Sequence, residues 1–282
     1  MNQFYAALCL VCVLVFGGCA EPAATDKETI YVSILPLRGL MHEITANDFD
    51  IEVLVPPGAN PETFELSARQ LSALHKAPVV FNVGLIPFEQ TLLAELGEKT
   101  VNLCHGIELL QGACSHNTDH RHAHGTDPHI WTAPRALKQM ARNAYEVIHA
   151  LHPDSVKYTQ NHALLQQKLD ALDRYTEGRI AATDTQYFII YHPALTYYAH
   201  DYGIEQRAIE ADGKEPSARH IAIIIDRARK DGVKRIFCQS QFPRSAVEII
   251  AEDIAAEVVM VDPLAEDVLG NIRELTDLIT AQ

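Results

Sequence analysis

Four side chains of metal-binding type stand at or just beyond the ends of strand-like runs, two in each half of the sequence. Glu62 lies in VPPGANPETFEL, shortly after an apolar run that ends at Val55; His129 lies in DPHIW; His192 ends YFIIYHP; and Asp262 ends EVVMVDP. In open α/β sheets, ligands bind beyond the carboxyl ends of strands. A cleft between two halves could therefore gather all four side chains around one ion. Two imidazoles and two carboxylates suit a borderline divalent cation such as Zn2+, with the harder Mn2+ as the alternative. Taken singly, each residue also has a plainer reading. A Glu after a proline-rich turn is ordinarily solvated or capping. A His that closes an apolar strand before a proline is as often a satisfied buried ring, and an Asp before a proline can simply open a turn. His129, beside the only tryptophan of the chain, has the stronger claim.

The segment CSHNTDHRHAHGTDPHIW, residues 114–131, holds five of the fourteen histidines. His116, His120, His122 and His124 occupy its Gly- and Asp-flanked part. Spacing alone leaves open whether they form a site, lie loosely beside one, or belong to a solvated loop. Of six cysteines, Cys9 and Cys12 fall in an apolar leader and Cys19 at its end. Cys104, Cys114 and Cys238 remain for the folded part. In an exported protein a Cys104–Cys114 disulfide would fix the base of the histidine segment; three unpaired thiols is the alternative. No CxxC pair survives past the leader, which argues against a thiolate zinc site.

Strand-like and helix-like runs alternate, and this is what must position those side chains. TIYVSIL, DIEVLV, PVVFNVG and KTVNLC are short β-rich segments separated by LRGLMHEITA, SARQLSALHK and PFEQTLLAELG, which carry helical spacing. PRALKQMARNAYEVIHAL follows the histidine segment, with Pro134 suited to a first helical turn. A long helix is expected from about Ser155 to Ala182, with Leu165, Leu169 and Leu172 on one apolar face. A second series then has QYFIIYH, IEQRAIE, RIFCQSQ and EVVMVDP as strands, and SARHIAIIIDRARKDG, RSAVEIIAEDIAA and LGNIRELTDLITAQ as helices. The pattern predicts an α/β protein with two mainly parallel-sheet lobes joined by one long helix, the ligand cleft between them. The expected divisions are a leader over 1–18, a tether over 19–28, an N-terminal lobe over 29–153 that includes the histidine loop 114–127, the linking helix over 154–183, and a C-terminal lobe over 184–282.

With 282 residues, 48% of them hydrophobic, the chain can bury two cores. Its 37 acidic against 23 basic residues, a net charge of −14, leave nucleic acid an unsuitable partner, because binding it depends on Lys and Arg at phosphates. Residues 1–18, MNQFYAALCLVCVLVFGG, carry no charge and are short for a membrane span of about twenty residues. Small Gly17 and Gly18 precede Cys19, as at the end of a bacterial lipoprotein signal, although basic residues are missing at its start. Cys19 is thus the expected lipid attachment point, and acyl chains there would contribute roughly 0.8 kcal/mol per buried CH2 to holding the protein on a membrane.

In order along the chain, VPPGANPETFEL, DPHIWTAP, YHPALTYYAHDYG, EADGKEPSARHI, SQFPRSAVEIIAEDI and VVMVDPL resemble the motifs of the zinc and manganese substrate-binding proteins of ABC transporters. The resemblance covers nearly the whole chain. It implies two α/β lobes bridged by a rigid helix, and maps metal ligands onto Glu62, His129, His192 and Asp262. It also implies a monomer that takes Zn2+ (or Mn2+) as cargo outside the cytoplasm and passes it to a membrane permease. His116, His120, His122 and His124 resemble the histidine-rich loop of zinc-specific members, an auxiliary set of weak ligands. Members usually have histidine where this chain has Glu62, so either a carboxylate takes that place or the site shrinks to the other three with water. WTAP replaces the commoner WLDP, which leaves Ala133 without an acid near the second ligand. Two further classes compete. HRHAH superficially resembles the histidine clusters of binuclear zinc hydrolases, but HExxH and GxSxG are absent, and no enzyme activity is expected. Surface adhesion, attributed to some relatives, has no sequence feature that demands it.

Overall fold

Among the described residues eight short parallel strands form two four-stranded sheets with the same strand order, and the chain crosses from one sheet to the other once, through its longest helices. The computed structural model describes residues 27–112, 125–210 and 214–281. In the first sheet β1 (Thr29–Val32), β2 (Asp50–Val53), β3 (Val80–Asn82) and β4 (Thr100–Asn102) run in the order β2-β1-β3-β4. In the second, β5 (Tyr187–Ile190), β6 (Glu205–Ala208), β7 (Arg235–Gln239) and β8 (Glu257–Val261) run in the order β6-β5-β7-β8. Every pairing is parallel, so each connection is a crossover, supplied by helices. Both sheets reverse strand order beside their first strand, the place where α/β sheets open a crevice at the strand ends.

The first lobe carries α1 (Leu35–Thr45), α2 (Ala68–Leu74) and α3 (Pro87–Leu96). Pro36 suits the first turn of α1, and Leu37, Leu40, Met41 and Ile44 recur at helical spacing and are fully buried. Ser67 and Gln70 close a capping box at α2. In the first turn of α3, the buried Glu89 carboxylate accepts from the amides of Val83, Gly84, Leu85 and Ile86, gathering the loop that follows β3; burial pushes its pKa up.

Then come α4 (Pro134–Leu151) and α5 (Val156–Ala181). Ser155 caps α5 by accepting from the amide of Tyr158. Its 26 residues at roughly 1.5 Å each make it about 39 Å long. Its buried face, with Leu165, Leu169, Leu172, Thr176 and Ile180, lies against α1 and α4 and also against α9 (Val268–Thr280) of the second lobe. The second lobe is completed by α6 (Thr196–Tyr202), α7 (Ala218–Asp231) and α8 (Ser245–Ile254). The expected elements are all present, with strands two to four residues shorter than their apolar runs. Helix α6 has no counterpart in the sequence reading. It has only seven residues, three of them tyrosine, and aromatic residues lose side-chain freedom in a helix.

The apolar core does not divide with the sheets. One continuous cluster contains Ile30, Val32, Phe81 and Trp131, runs through Leu165 and Leu169, and reaches Phe188, Ile190, Phe237, Val261 and Ile272. Only the outer face of the second sheet, with Ile189, Tyr191, Ile236, Cys238, Val247 and Ile250, forms a separate cluster. Strand alternation accounts for the split: Phe188 and Ile190 face inward, Ile189 and Tyr191 outward. Polar ties reinforce the junction. Arg38 of α1 forks onto Glu266 at 2.8 and 2.6 Å, and Gly39 is needed beside it, because a Cβ there would lie 1.9 Å from the Glu266 carbonyl oxygen.

Candidate metal site

Glu62, His129 and His192 converge where the two lobes meet. Glu62 sits in a single 3-10 turn, Pro61–Thr63, whose start is fixed by Asn60: its side-chain oxygen accepts from the Glu62 amide at 2.9 Å. His129 immediately precedes a second 3-10 turn, Ile130–Thr132. Thr132 Oγ1 donates to the His129 carbonyl at 2.8 Å, and the buried Trp131 donates its Nε1–H to the Pro263 carbonyl of the other lobe, also at 2.8 Å. His192 follows β5 at the point where the second sheet reverses its order. Gln239, at the end of β7, clamps it from both sides, its Oε1 accepting from the His192 amide at 3.2 Å and its Nε2 donating to the His192 carbonyl at 2.8 Å. Phe242 stacks on the His192 ring at 4.7 Å between centroids.

The two Nε2 atoms lie 3.3 Å apart, and Glu62 Oε1 is 3.7 Å from that of His129 and 3.6 Å from that of His192. Both histidines are buried, while the Glu62 side chain is about one-third exposed, at 32%. Each ring presents its other nitrogen to a buried carboxylate. Asp127 Oδ1 is 3.0 Å from His129 Nδ1 and also accepts from the His129 amide at 2.8 Å. Glu210 Oε1 is 3.0 Å from His192 Nδ1, at an angle that falls short of a hydrogen bond. With both ring protons on the Nδ1 side, as Asp127 favours for His129, two nitrogen lone pairs and a carboxylate oxygen would face one another across less than 4 Å, an arrangement that a proton or a cation between them relieves. Burial pulls the His129 imidazole toward its neutral form, but the hydrogen bond and charge of Asp127, with Glu62 and Glu210 behind it, lift its pKa above the ordinary histidine value. Burial works against the Asp127 anion too, yet its bonds to His129 leave its pKa below the usual carboxylate range.

The hollow lined by Asn60, Pro61, His129, His192, Gln241 and Phe242 has a volume of about 30 Å³. That is room for about one water-sized particle, whereas pockets for organic solutes run to roughly 300 Å³ and above.

Asp262 is not brought into this group. It is exposed, and its Oδ1 accepts from the Leu264 amide at 3.0 Å and from Gln241 at 3.2 Å, which is how an acid before a proline opens a turn. Gln241 lines both the metal hollow and the neighbouring one that contains Asp262, so the acid stands beside the site with its oxygen turned to the chain. Cys104 is half-buried after β4; Cys114, His116, His120, His122 and His124 lie outside the described residues, and so does Cys19 with its leader. The disulfide, the auxiliary loop and the lipid attachment therefore lie outside them as well. Sequence reading did not single out Asp127 or Glu210. Asp127 had a signal, since an Asp two residues before a His can reach its ring. Glu210, eighteen residues from His192, had none.

Two parallel-sheet lobes on a shared helix, with an imidazole-rich triad in a one-ion hollow between them, define a two-lobed metal-ion-binding protein. Residues 30–281 match the family described as zinc-uptake complex component A, periplasmic, and the chain belongs to that family. The crystal structure of ZnuA superimposes with a TM-score of 0.82 at 31% identity, covering 91% of this chain and 99% of the other. The zinc-binding lipoprotein AdcA of Streptococcus pneumoniae is 26% identical over 98% of this chain, which spans 56% of its length. A putative metal-binding protein of Chlamydia muridarum is 25% identical, with 88% of each chain covered. Among the described residues no helix is long and apolar enough to cross a membrane.

Proposed function

We propose that this protein captures one Zn2+ ion outside the cytoplasm between its lobes and hands it to the permease of an ABC transporter. Glu62, His129 and His192 are the protein ligands, and water completes the set. The spacing of the three donor atoms carries the choice of ion. Zinc bonds of about 2.0–2.2 Å in a tetrahedron put neighbouring ligand atoms about 3.3–3.6 Å apart. Two of the separations, 3.3 and 3.6 Å, fall within that edge length, and the third, 3.7 Å, exceeds it by about 0.1 Å. A hard ion in an octahedron at about 2.1 Å needs neighbours about 3.0 Å apart and oxygen donors, which makes Mn2+ the weaker fit. Two buried nitrogens in a set of three also favour the borderline ion.

Family membership and the name of ZnuA support the transport role, and the name of AdcA supports a lipid anchor, which we place at Cys19. The histidines of 116–124 serve as weak accessory ligands that raise the local zinc concentration. The protein acts as a monomer and binds without turnover, so an esterase assay in added zinc should show no rate above zinc alone. Elemental analysis of the purified mature protein, with competition between Zn2+ and Mn2+, tests the reading. One zinc per chain held against excess manganese is expected; preferential retention of manganese, or equal retention of both, overturns it. Deleting residues 116–124 should remove only the weak extra stoichiometry.

A further inference from the structure

We propose that Glu210 is a positioning residue for the metal: its carboxylate holds the His192 ring proton on Nδ1 and strengthens the Nε2 donor, and so sets the preference of the site for zinc over manganese. The inference rests on the ligand assignment above.

Glu210 is placed by the sheet rather than by a flexible loop. Beyond β6 the chain keeps pairing with the end of β5: the Ile209 amide donates to the Ile190 carbonyl at 2.9 Å, and the Glu210 amide to the Tyr191 carbonyl at 3.0 Å. That pairing sets the Glu210 side chain beside the residue next in line, His192. The residue is only 5% exposed. A carboxylate taken out of water needs a compensating partner, and among the described residues no Lys or Arg pairs with it; its neighbour is His192 Nδ1 at 3.0 Å, at an angle that falls short of a hydrogen bond. An acid built for stability alone would be expected to meet an Arg or Lys, as Glu266 meets Arg38.

The rest of the His192 environment leaves one degree of freedom, and Glu210 addresses it. Gln239 fixes the backbone and Phe242 fixes the ring plane. Neither acts on which nitrogen carries the proton. A neutral imidazole gives a metal one lone pair, from the nitrogen without the proton. A carboxylate at Nδ1 selects the form whose free lone pair faces His129 and Glu62, and orients that lone pair toward the ion. The effect acts through an imidazole, so it matters most for an ion that prefers nitrogen, and zinc does so more than manganese. His129 has the matching partner in Asp127, which is also tied to the backbone. Among the described residues Glu210 has no such second bond.

The test compares the wild-type protein with Glu210→Gln, Glu210→Leu and His192→Ala, using zinc and manganese titrations with a competing chelator and the visible spectrum with Co2+ substituted for zinc. Thermal midpoints of the metal-free proteins check folding. Glu210→Leu should bind zinc about 10- to 100-fold more weakly, the usual effect of removing a ligand's outer partner, with a smaller loss for manganese and altered cobalt bands. Glu210→Gln keeps the shape and an oxygen that can accept from Nδ1–H, so it should recover the wild-type cobalt spectrum and only part of the zinc affinity. It also serves as the deciding variant if the leucine protein does not fold. Zinc affinities of both folded variants within twofold of wild type, or equal losses for the two metals, overturn the proposal. A His192→Ala protein that binds zinc as well as wild type overturns the ligand assignment instead.

Discussion

The two lobes share a strand order, yet they are built and used differently. The first lobe places both faces of its sheet in the common core and contributes two of the three donors, Glu62 and His129. The second commits only its inner face to that core and contributes His192 alone. Its outer layer is a smaller cluster of its own, and outside that cluster Ile223, Ile249 and Met260 of the same lobe are 41%, 54% and 42% exposed. The ligand supports differ in the same sense: Asp127 reaches His129 from two residues away, while Glu210 reaches His192 across a strand pairing. A cleft between lobes need not be a hinge, then. Here one apolar core and the Trp131–Pro263 and Arg38–Glu266 ties run beneath the cleft. Large opening would break them, which points to local movement of loops as the route of ion release.

Removing the one donor of the second lobe tests that comparison most severely. His192→Ala should reduce zinc affinity by more than the roughly 10- to 100-fold seen for an outer partner, because it deletes a ligand and leaves the site on one lobe. Glu62→Gln, which spares both imidazoles and acts at a part-exposed carboxylate, should cost less. Chelator-competition titration ranks the two, and the reverse order would mean that the first lobe alone forms the tight site. The two cores can be separated in the same way. Phe237→Ala in the common core should cost about 3–5 kcal/mol and weaken zinc binding as well, while Ile250→Ala in the outer cluster should cost about 2–5 kcal/mol and leave the affinity of the folded protein within twofold. Denaturant unfolding paired with zinc titration reads both, and coupled losses at Ile250 would show that the outer layer is part of the site's support.

Legibility in the sequence followed the range of the interactions. Strands, long helices and the two-lobed plan came from periodicity, which is local, and α5 ends within a residue of the range expected from its apolar stripe. Glu62 and His192, which the structure brings together with His129, were legible as candidates because they follow strand ends, where sheet geometry places ligands, and His129 because it stands between a proline and the only tryptophan. The rest needed three dimensions. Nothing in one strand's alternation shows that its inner face joins the other lobe, so two separate cores were the natural expectation. The short α6 lacks both the length and the periodicity that betray a helix. Asp262 has the right residue type at the right kind of place, and only the hydrogen bonds of its turn show where the oxygen points. Glu210 acts across a sheet, a relation that sequence spacing does not encode.

Acidity should separate the metal-free from the metal-bound protein. His129 has a raised pKa through Asp127, Glu62 and Glu210, against the pull of burial. Below that raised value an entering ion must displace a proton, so zinc affinity should begin to fall at a pH above the ordinary value of about 6.5 and then drop about tenfold per unit. Stability of the metal-free protein should change in the opposite direction. A pKa raised by folding stabilises the protein fully below the unfolded value near 6.5, and that contribution is lost as pH rises through the folded value. Asp127, whose pKa is lowered, keeps its contribution throughout this window and gives it up only as pH falls through its own depressed value. Thermal midpoints between pH 6 and 8 should therefore decline with pH without zinc and rise with it. Parallel curves, or flat affinity down to pH 6, would remove His129 from the ligand set.

The smallest effect is expected at Asp262, and it decides whether the second lobe offers one donor or two. The carboxylate is exposed, and its Oδ1 is engaged by the Leu264 amide and Gln241; to reach the ion it would have to release both. Asp262→Asn keeps an Oδ1 that can accept from Leu264, so the turn should survive while the charge is lost. With water as the fourth ligand, the substitution removes only a distant, solvent-screened attraction, and zinc affinity should stay within about fivefold of wild type, an exposed-pair effect of roughly 0.2–1 kcal/mol. A fall as large as that of Glu62→Gln would mean that the loop turns inward when the ion arrives, and that the second lobe closes the site with an acid as well as an imidazole.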